Sequence, residues 1–212
     1  MLTNTQDQLL IGAILGDSHV ERNKLLHYRR DYNCRVRFDH ATRQRKYVCW
    51  KQKMLFPHAG KLTELQVVDK RTKKTYYKIR FNTLTSAFFN KYHDLFYRDR
   101  VKCVPANIEQ LLVPGLALAV WYLDDGSLRT DCKGFRLHTN NYPLDGVVLL
   151  QHALLSNYGI TSRIQKQDAS KSQQERGFLL SIGSSYGQAE RFSAIIKPFV
   201  AATLPSMLYK FF

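Results

Sequence analysis

Residues 10–18 read LIGAILGDS, and residues 118–126 repeat the same pattern as LAVWYLDDG. Each stretch is an apolar run that ends abruptly in an acid followed by a small residue. Asp17 and Asp125 are 108 positions apart, about half of the 212-residue chain. One copy in each half of the chain indicates an internal duplication. Each apolar run predicts a buried helix that ends at its acid.

An acid at the C-terminal end of a helix is chemically unusual, because that end carries partial negative charge and favours cations. If the two helices pack side by side, Asp17 and Asp125 meet at their shared end, where their charges repel. A divalent cation between them would relieve the repulsion, and Mg²⁺ prefers oxygen ligands of this kind. The alternative is that both helices are ordinary buried helices whose aspartates only shape the following turns.

The two stretches resemble the signature motif of the LAGLIDADG homing endonucleases, in the two-motif monomeric form of the omega-intron endonuclease branch. Ser18 replaces the closing Gly of the motif, and Val120 replaces its internal Gly. Asp124 stands where the first copy has Gly16. Small residues let helices approach closely, so Val120 makes a close approach less expected. Gly12 and Gly16 still give the first helix a flat face.

The resemblance implies an α+β fold of two pseudo-symmetric αββαββα-type halves, each with a DNA-binding antiparallel sheet. The halves are expected to meet at an interface of the two motif helices. The implied domains are an N-terminal repeat over residues 1–100, a linker over residues 101–115 and a C-terminal repeat over residues 116–212.

The resemblance also implies the residues of the active site. Asp17 and Asp125 are expected to bind the catalytic metal, and main-chain carbonyls near Gly16 and Asp124 would complete the coordination. Two lysines near the active site of that branch match positions in this chain. These two expected catalytic lysines are Lys102 and Lys210.

The composition independently indicates a polyanionic partner. The chain has 32 Lys and Arg against 17 Asp and Glu, a formal net charge of +15. Residues 22–102 contain 22 basic and 6 acidic residues, so this segment carries the whole excess. Concentrated positive charge of this kind favours nucleic acid, whose affinity comes largely from released counterions. A basic face that never meets DNA stays open, whereas a membrane surface is less expected because the basic residues alternate along strands.

Alternating strands would display these basic residues on sheet surfaces. From Lys74 to Phe81, basic residues and Tyr76 fall on one face and apolar residues on the other, and Cys34 to Asp39 alternates in the same way. A twisted sheet with such a face fits the major groove, although a solvated outer face is the alternative. The candidate DNA-contacting side chains are Arg35, Arg37, Lys70, Lys74, Tyr76, Lys78, Arg80, Arg136, His138, Arg163, Gln165 and Gln167.

The remaining elements follow from periodicity and from turn residues. The predicted helices span 5–16, 43–55, 83–96, 144–158 (ended by Gly159) and 185–201 (interrupted at Pro198), and the second motif helix begins near Pro114. The other predicted strands span 65–68, 135–139, 162–167 and 178–182, with hairpin tips at 69–74 and 168–176.

Other classes of protein are disfavoured. The longest apolar run is too short to cross a membrane, and the N-terminus has no signal or transit pattern. Four cysteines without paired spacing disfavour a zinc site and indicate reduced thiols. We therefore expect the interior of an organelle whose genome encodes the chain, or the bacterial cytoplasm, and not secretion.

The predicted function is a monomeric, metal-dependent homing endonuclease that hydrolyses both DNA strands at a long asymmetric target, with staggered 3′ overhangs, in intron mobility. Mg²⁺ is the expected cofactor; Mn²⁺ is expected to substitute, and Ca²⁺ to bind without supporting cleavage. The target should span roughly two turns of about 10 base pairs each. The first alternative is an RNA maturase that assists splicing of its host intron, with intron RNA as partner. The second is a plain DNA-binding regulator.

Overall fold

The computed structural model describes residues 1–22, 33–69, 71–113, 115–167 and 177–212. The first half runs from a motif helix through two hairpins to a closing helix. Its elements are α1 (Asn4–Leu15), β1 (His19–Arg22), β2 (Cys34–Ala41), α2 (Arg45–Met54), β3 (Thr63–Val68), β4 (Thr75–Asn82) and α3 (Asn90–Phe96).

The second half repeats this order after a connection that has short elements of its own. The connection contains β5 (Tyr97–Arg98), β6 (Val101–Lys102) and α4 (Ile108–Leu111). The second half consists of α5 (Gly115–Asp125), β7 (Gly126–Leu128), β8 (Phe135–His138), α6 (Leu144–Tyr158), β9 (Arg163–Gln167), β10 (Gly177–Ile182) and α7 (Gln188–Thr203). A 3₁₀ turn over Pro205–Lys210 follows α7.

Each half contains a four-stranded antiparallel sheet with the same topology. The strand order is β1-β2-β4-β3 in the first sheet and β7-β8-β10-β9 in the second. Both halves therefore follow the αββαββα order, and the predicted α+β fold is confirmed. The inner face of each sheet packs on the core through residues such as Phe38 and Ile79 in the first half and Phe135 and Leu180 in the second.

The two motif helices, α1 and α5, form the centre of the molecule. Every residue from Leu9 to Leu15 in α1 is buried, and so is every residue from Ala117 to Leu123 in α5. A helix that is buried all round needs partners on every side. Here the helices pack on each other and on the elements of both halves. This packing accounts for the uninterrupted apolar stretches at the two ends of the duplication.

Several predicted boundaries agree with the structure. The helix predicted over residues 144–158 is α6, and Gly159 ends it in the left-handed conformation at φ 62°. Glycine adopts positive φ without steric cost, so it commonly follows a helix. The predicted helix at residues 43–55 is a 3₁₀ turn at Thr42–Gln44 followed by α2.

The predicted helix over residues 83–96 is wrong at its start. The hydroxyl of Thr83 accepts from the Val36 amide at 2.9 Å, and the Thr83 amide donates to the Val36 carbonyl at 2.9 Å. Ser86 then caps a 3₁₀ turn at Ala87–Phe89. These sheet-like and turn hydrogen bonds compete with helix, so α3 begins only at Asn90.

The predicted interruption at Pro198 is also wrong, because α7 continues through it to Thr203. Proline in a helix interior removes one hydrogen bond and costs about 3 kcal/mol. Ala189, Phe192 and Ile196 before Pro198 and Val200 after it are fully buried. Their burial on both sides of the proline holds the helix together.

One predicted strand start is displaced by one residue, and other predictions concern residues outside the described ranges. Lys74 precedes β4, which begins at Thr75, so the predicted strand starts one residue too early. Lys70, Pro114 and the predicted hairpin tip at residues 168–176 lie outside the described residues.

Candidate active site

Close packing of the motif helices brings the two signature acids together. A Cβ atom added to Gly12 would lie 2.3 Å from the carbonyl oxygen of Ala117, and one added to Gly16 would lie 2.5 Å from Cβ of Asp124. The contacts advance in the same direction along both helices, so α1 and α5 are parallel and end side by side. Glycine on α1 permits this approach although Val120 replaces the internal glycine on α5.

The carboxyl groups of Asp17 and Asp125 lie within hydrogen-bonding reach of each other. Desolvation, followed by the charges of Asp17 and Asp124, raises the pKa of Asp125 to about 8. Desolvation and the charge of Asp124 also raise the pKa of Asp17, while Lys51 and the hydrogen bond oppose the rise. Two carboxyl groups at one place share a proton when no other cation is present. Burial and like charge thus destabilise the ionised forms of both acids, and a cation bound between them would stabilise those forms.

Each candidate lysine caps one motif helix. Lys102, in β6, donates to the carbonyl oxygen of Gly16 at 2.7 Å. Lys210, in the C-terminal 3₁₀ turn, donates to the carbonyl oxygens of Leu123 at 2.7 Å and Gly126 at 2.8 Å. An ammonium group at a helix C-terminus complements the partial negative charge there. Each lysine therefore lies at the end of one motif helix, close enough to the acids to interact with them.

Burial changes the acidity of both lysines. Desolvation lowers the pKa of Lys102 to about 8, against the opposing effect of Asp125 and Asp17. Desolvation also lowers the pKa of Lys210, while Asp124 and Asp17 oppose the shift. These ammonium groups have lost much of their water, so their charge acts strongly on any anion bound beside them.

The carboxylate of Asp124 accepts hydrogen bonds from residues that the sequence did not indicate. Lys51 Nζ contacts its two carboxylate oxygens at 2.6 and 2.8 Å, and the Tyr47 hydroxyl donates to Oδ1 at 2.8 Å. The side chains of Lys51 and Asp124 have no exposed surface. The side chain of Asp124 therefore faces Lys51, while its main-chain carbonyl oxygen lies 3.5 Å from Lys210 Nζ. The acid at position 124, where the first motif has Gly16, was a sequence signal for a buried cation beside it. Nothing in the sequence indicated that this cation is Lys51.

The first sheet places most of its candidate DNA contacts on one outer face. Cross-strand pairing aligns Asp39 with Arg80 and Ala41 with Lys78, and paired residues share a face. Arg35, Arg37 and Tyr76 belong to the same face by alternation. Lys74 is exposed just before the strand, and Lys70 lies outside the described residues.

Two acids on this face were not anticipated. Glu21 in β1 forms ion pairs with Arg35, at 2.9 Å, and with Arg37. Asp39 in β2 forms an ion pair with Arg80. These carboxylates fix the guanidinium groups in place and lower the net charge of the face.

The second sheet carries its candidates on the corresponding face. Arg136 aligns with Ser127 and Ser181 across the sheet, while Gln165 aligns with Leu179 and so does His138. His138 Nε2 lies 2.9 Å from the Ser127 hydroxyl. This face also contains Arg163 and Gln167 by alternation. It is more polar and less basic than the first, as the uneven charge of the sequence predicted.

Within the described ranges, no three His, Cys, Asp or Glu side chains converge as a ready-made metal cluster. None of the helices in those ranges combines the length and apolar character that crossing a membrane requires.

Comparison with known proteins places this geometry in context. A family model described as the LAGLIDADG DNA endonuclease family matches residues 7–188. The DNA endonuclease I-ChuI of Chlamydomonas applanata is 29% identical over 210 residues, which cover 94% of this chain and 92% of that protein. The cytochrome b mRNA maturase bI2 of Debaryomyces hansenii is 28% identical over 207 residues, which cover 96% of this chain and 72% of that protein.

The fold is also similar to a solved structure, that of the homing endonuclease I-WcaI bound to its DNA recognition sequence. The TM-score is 0.82 at 20% identity, and the match covers 100% of this chain and 88% of that one. At this level of identity the likeness concerns the fold, which extends over both halves.

Proposed function

Because the chain belongs to the LAGLIDADG DNA endonuclease family, we propose that it is a homing endonuclease that hydrolyses both strands of a long, asymmetric DNA site. One observation carries the proposal. The carboxyl groups of Asp17 and Asp125 lie close enough to interact at the shared end of α1 and α5, and each of these helices leads directly into a sheet that carries basic side chains. A regulator that only binds DNA has no reason to bring two acids together there.

The acid pair fits a divalent cation. Asp17 and Asp125 would hold it, with the main-chain carbonyls of Gly16 and Asp124 as further ligands, because Mg²⁺ takes one or two carboxylates together with phosphate and water oxygens. The raised pKa values of both acids support the fit, because burial and like charge destabilise the ionised pair and a bound cation would stabilise it. When bound, the cation lowers the pKa of a nucleophilic water and neutralises phosphate charge. Mn²⁺ would substitute, and Ca²⁺ would bind without supporting cleavage.

Lys102 and Lys210 are the proposed catalytic lysines. Each ammonium group lies at the end of one motif helix, so each can approach one of the two phosphates that are cut. There it offsets the negative charge that grows on the phosphorus-centred transition state. With a pKa of about 8, Lys102 is still mostly cationic at pH 7.

The two sheets would bind the DNA on either side of the acids. We propose two repeats, over residues 1–100 and 116–212, as the units that bind the two half-sites, joined by the linker over residues 101–115. Because the repeats differ in charge, the target is asymmetric, and roughly two turns of about 10 base pairs each would fit a monomer. Cuts across the minor groove would leave staggered 3′ overhangs, and such a double-strand break would serve intron mobility. The proposed location is an organelle interior or the bacterial cytoplasm.

A second function stays open, because one relative over nearly the whole chain carries the name of an mRNA maturase. In that case the chain would bind the folded RNA of its host intron and assist splicing. The acid pair and both lysines favour the nuclease, since an RNA chaperone need not keep them.

The test is a cleavage assay on a library of long duplex sites. Purified protein is incubated with the library and Mg²⁺, beside a matched reaction with EDTA. We expect metal-dependent double-strand cuts at one asymmetric site. If no site is cut and the protein binds a structured intron RNA tightly, the maturase is the better description.

A further inference from the structure

A buried ion pair joins the two halves beside the acid pair. Lys51 belongs to α2 of the first half and Asp124 to α5 of the second, and neither side chain has exposed surface. The three N–H bonds of Lys51 are directed at Asp124 Oδ1, Asp124 Oδ2 and His40 Nε2, at 2.6, 2.8 and 3.2 Å. Tyr47 also donates to Asp124. Each of the three N–H bonds of Lys51 therefore has an acceptor, and the carboxylate of Asp124 accepts three hydrogen bonds.

The pair continues into a hydrogen-bonded relay. Because Lys51 can only donate, His40 Nε2 must accept, and the ring proton is on Nδ1. His40 Nδ1 lies 3.2 Å from Gln44 Oε1, and Gln44 Nε2 donates to the Tyr209 hydroxyl at 3.1 Å. Tyr209 directly precedes Lys210. The relay therefore connects the buried pair to the C-terminal turn that supplies one of the proposed catalytic lysines.

The relay also borders Asp17. His40 Nδ1 lies 3.9 Å from Asp17 Oδ2, while the imidazole is buried and the Asp17 side chain is 47% exposed. Asp17 therefore has one exposed side and one side formed by this cluster. A shift of Lys51 or Asp124 would move the His40 imidazole that lies beside Asp17.

The arrangement has no counterpart at the other acid. The 108-residue offset makes Gly16 the equivalent of Asp124, and Gly16 has no side chain. His19 pairs with Arg37 and Ser127 pairs with Arg136, so Thr139 is the equivalent of His40.

Thr139 itself donates to the Phe178 carbonyl at 2.7 Å. Beside Asp125 the buried contact is different, with Tyr142 donating to the Leu15 carbonyl at 3.0 Å. The two acids thus have unlike surroundings.

We propose that Lys51 is a positioning residue that acts through Asp124 to fix Asp17, and that this one-sided support makes the cleavage rates of the two DNA strands unequal. The inference rests on the proposed nuclease function. Lys51 does not touch the reacting atoms, so its effect must appear as a change in the balance between strands.

The test uses variants that separate positioning from folding. Lys51→Met alone leaves Asp124 buried without its cation and is expected to fold poorly. The double variant Lys51→Met with Asp124→Asn removes both charges and keeps similar volumes, and the amide oxygen introduced at position 124 can still accept from Tyr47. Such paired replacement is often nearly neutral for stability. Lys91→Met is the matched control, because it removes an ion pair with Asp7 at the opposite end of α1.

The readout is a single-turnover assay on a duplex with a different fluorophore on each strand. We expect the parent and Lys91→Met to show the same ratio of strand cleavage rates. In the double variant that ratio should change by about tenfold or more, because a misplacement of about 1 Å can cost about 10²-fold in rate. Unchanged rates, or equal losses on both strands, in a folded double variant would overturn the inference. A parent that cuts neither strand would remove the nuclease proposal as well, so the two failures are distinguishable.

Discussion

Gly12→Ala tests the close packing that unites the two acids. The added methyl group would lie 2.3 Å from the Ala117 carbonyl oxygen and 2.9 Å from Val120 Cβ. The nearest obstacle is backbone within a buried helix, so it cannot rotate away. The two helices must separate at this point, and the acids at their ends must move with them.

The expected size of the effect follows from two opposing contributions. Overpacking against rigid atoms costs about 3 kcal/mol. Replacing glycine by alanine in a helix interior stabilises the helix by about 1 kcal/mol. The net loss of about 2 kcal/mol in the free energy of unfolding corresponds to a fall in Tm of about 4–8 °C for a chain of this size.

Thermal unfolding followed by circular dichroism measures the loss. Gly183→Ala is the control, because a Cβ there has no heavy atom within 4 Å in the described structure. A displacement of the acids by about 1 Å should lower the cleavage rate of Gly12→Ala by about 10²-fold. If Gly12→Ala were more stable than the parent, helix propensity alone would explain it and the packing described for α1 and α5 would be wrong.

Three further predictions concern the acids, the lysines and the sheet. In EDTA, the raised pKa of Asp125 means that folding stability present below about pH 4 is lost as the pH rises to about 8. Asp125→Asn should therefore reduce the difference in Tm between pH 5 and pH 8. An unchanged difference in Tm would contradict the raised pKa. Lys102→Ala should lower the cleavage rate by about 10²-fold with little loss of DNA affinity, as single-turnover kinetics and gel shifts would measure; equal losses in both would indicate a binding role. Lys78→Ala should reduce the slope of log affinity against log salt by about one, whereas Lys197→Ala on α7 should leave it unchanged; equal slopes in parent and Lys78→Ala would exclude a phosphate contact by Lys78.

Local signals in the sequence were sufficient for most of the fold. The motif repeat predicted the helix pair, and period-two alternation predicted β2 and β4. The predictions failed where distant atoms decide the local conformation. Thr83 pairs with Val36 across 47 positions, which no window around residue 83 reveals. Pro198 stays within a helix because the helical residues on both sides of it are buried in the core.

The candidate site could be predicted only in part for the same reason. The acids and lysines could be proposed because they lie in or beside recognisable motifs. The partners that tune them come from distant parts of the chain, and Lys51 and Asp124 are 73 positions apart. Glu21 and Asp39 likewise counted only toward the total charge in the sequence, whereas in the structure they form ion pairs with arginines of the first sheet.

Asp17→Asn, measured for binding and cutting on the same duplex, tests the central claim most directly. The substitution keeps the size of the side chain and removes the charge that would hold the cation. The account predicts that site-specific affinity stays close to that of the parent while double-strand cleavage in Mg²⁺ is lost. Cleavage at the parental rate by a folded Asp17→Asn variant would contradict the claim that the acids at the shared helix end perform the reaction.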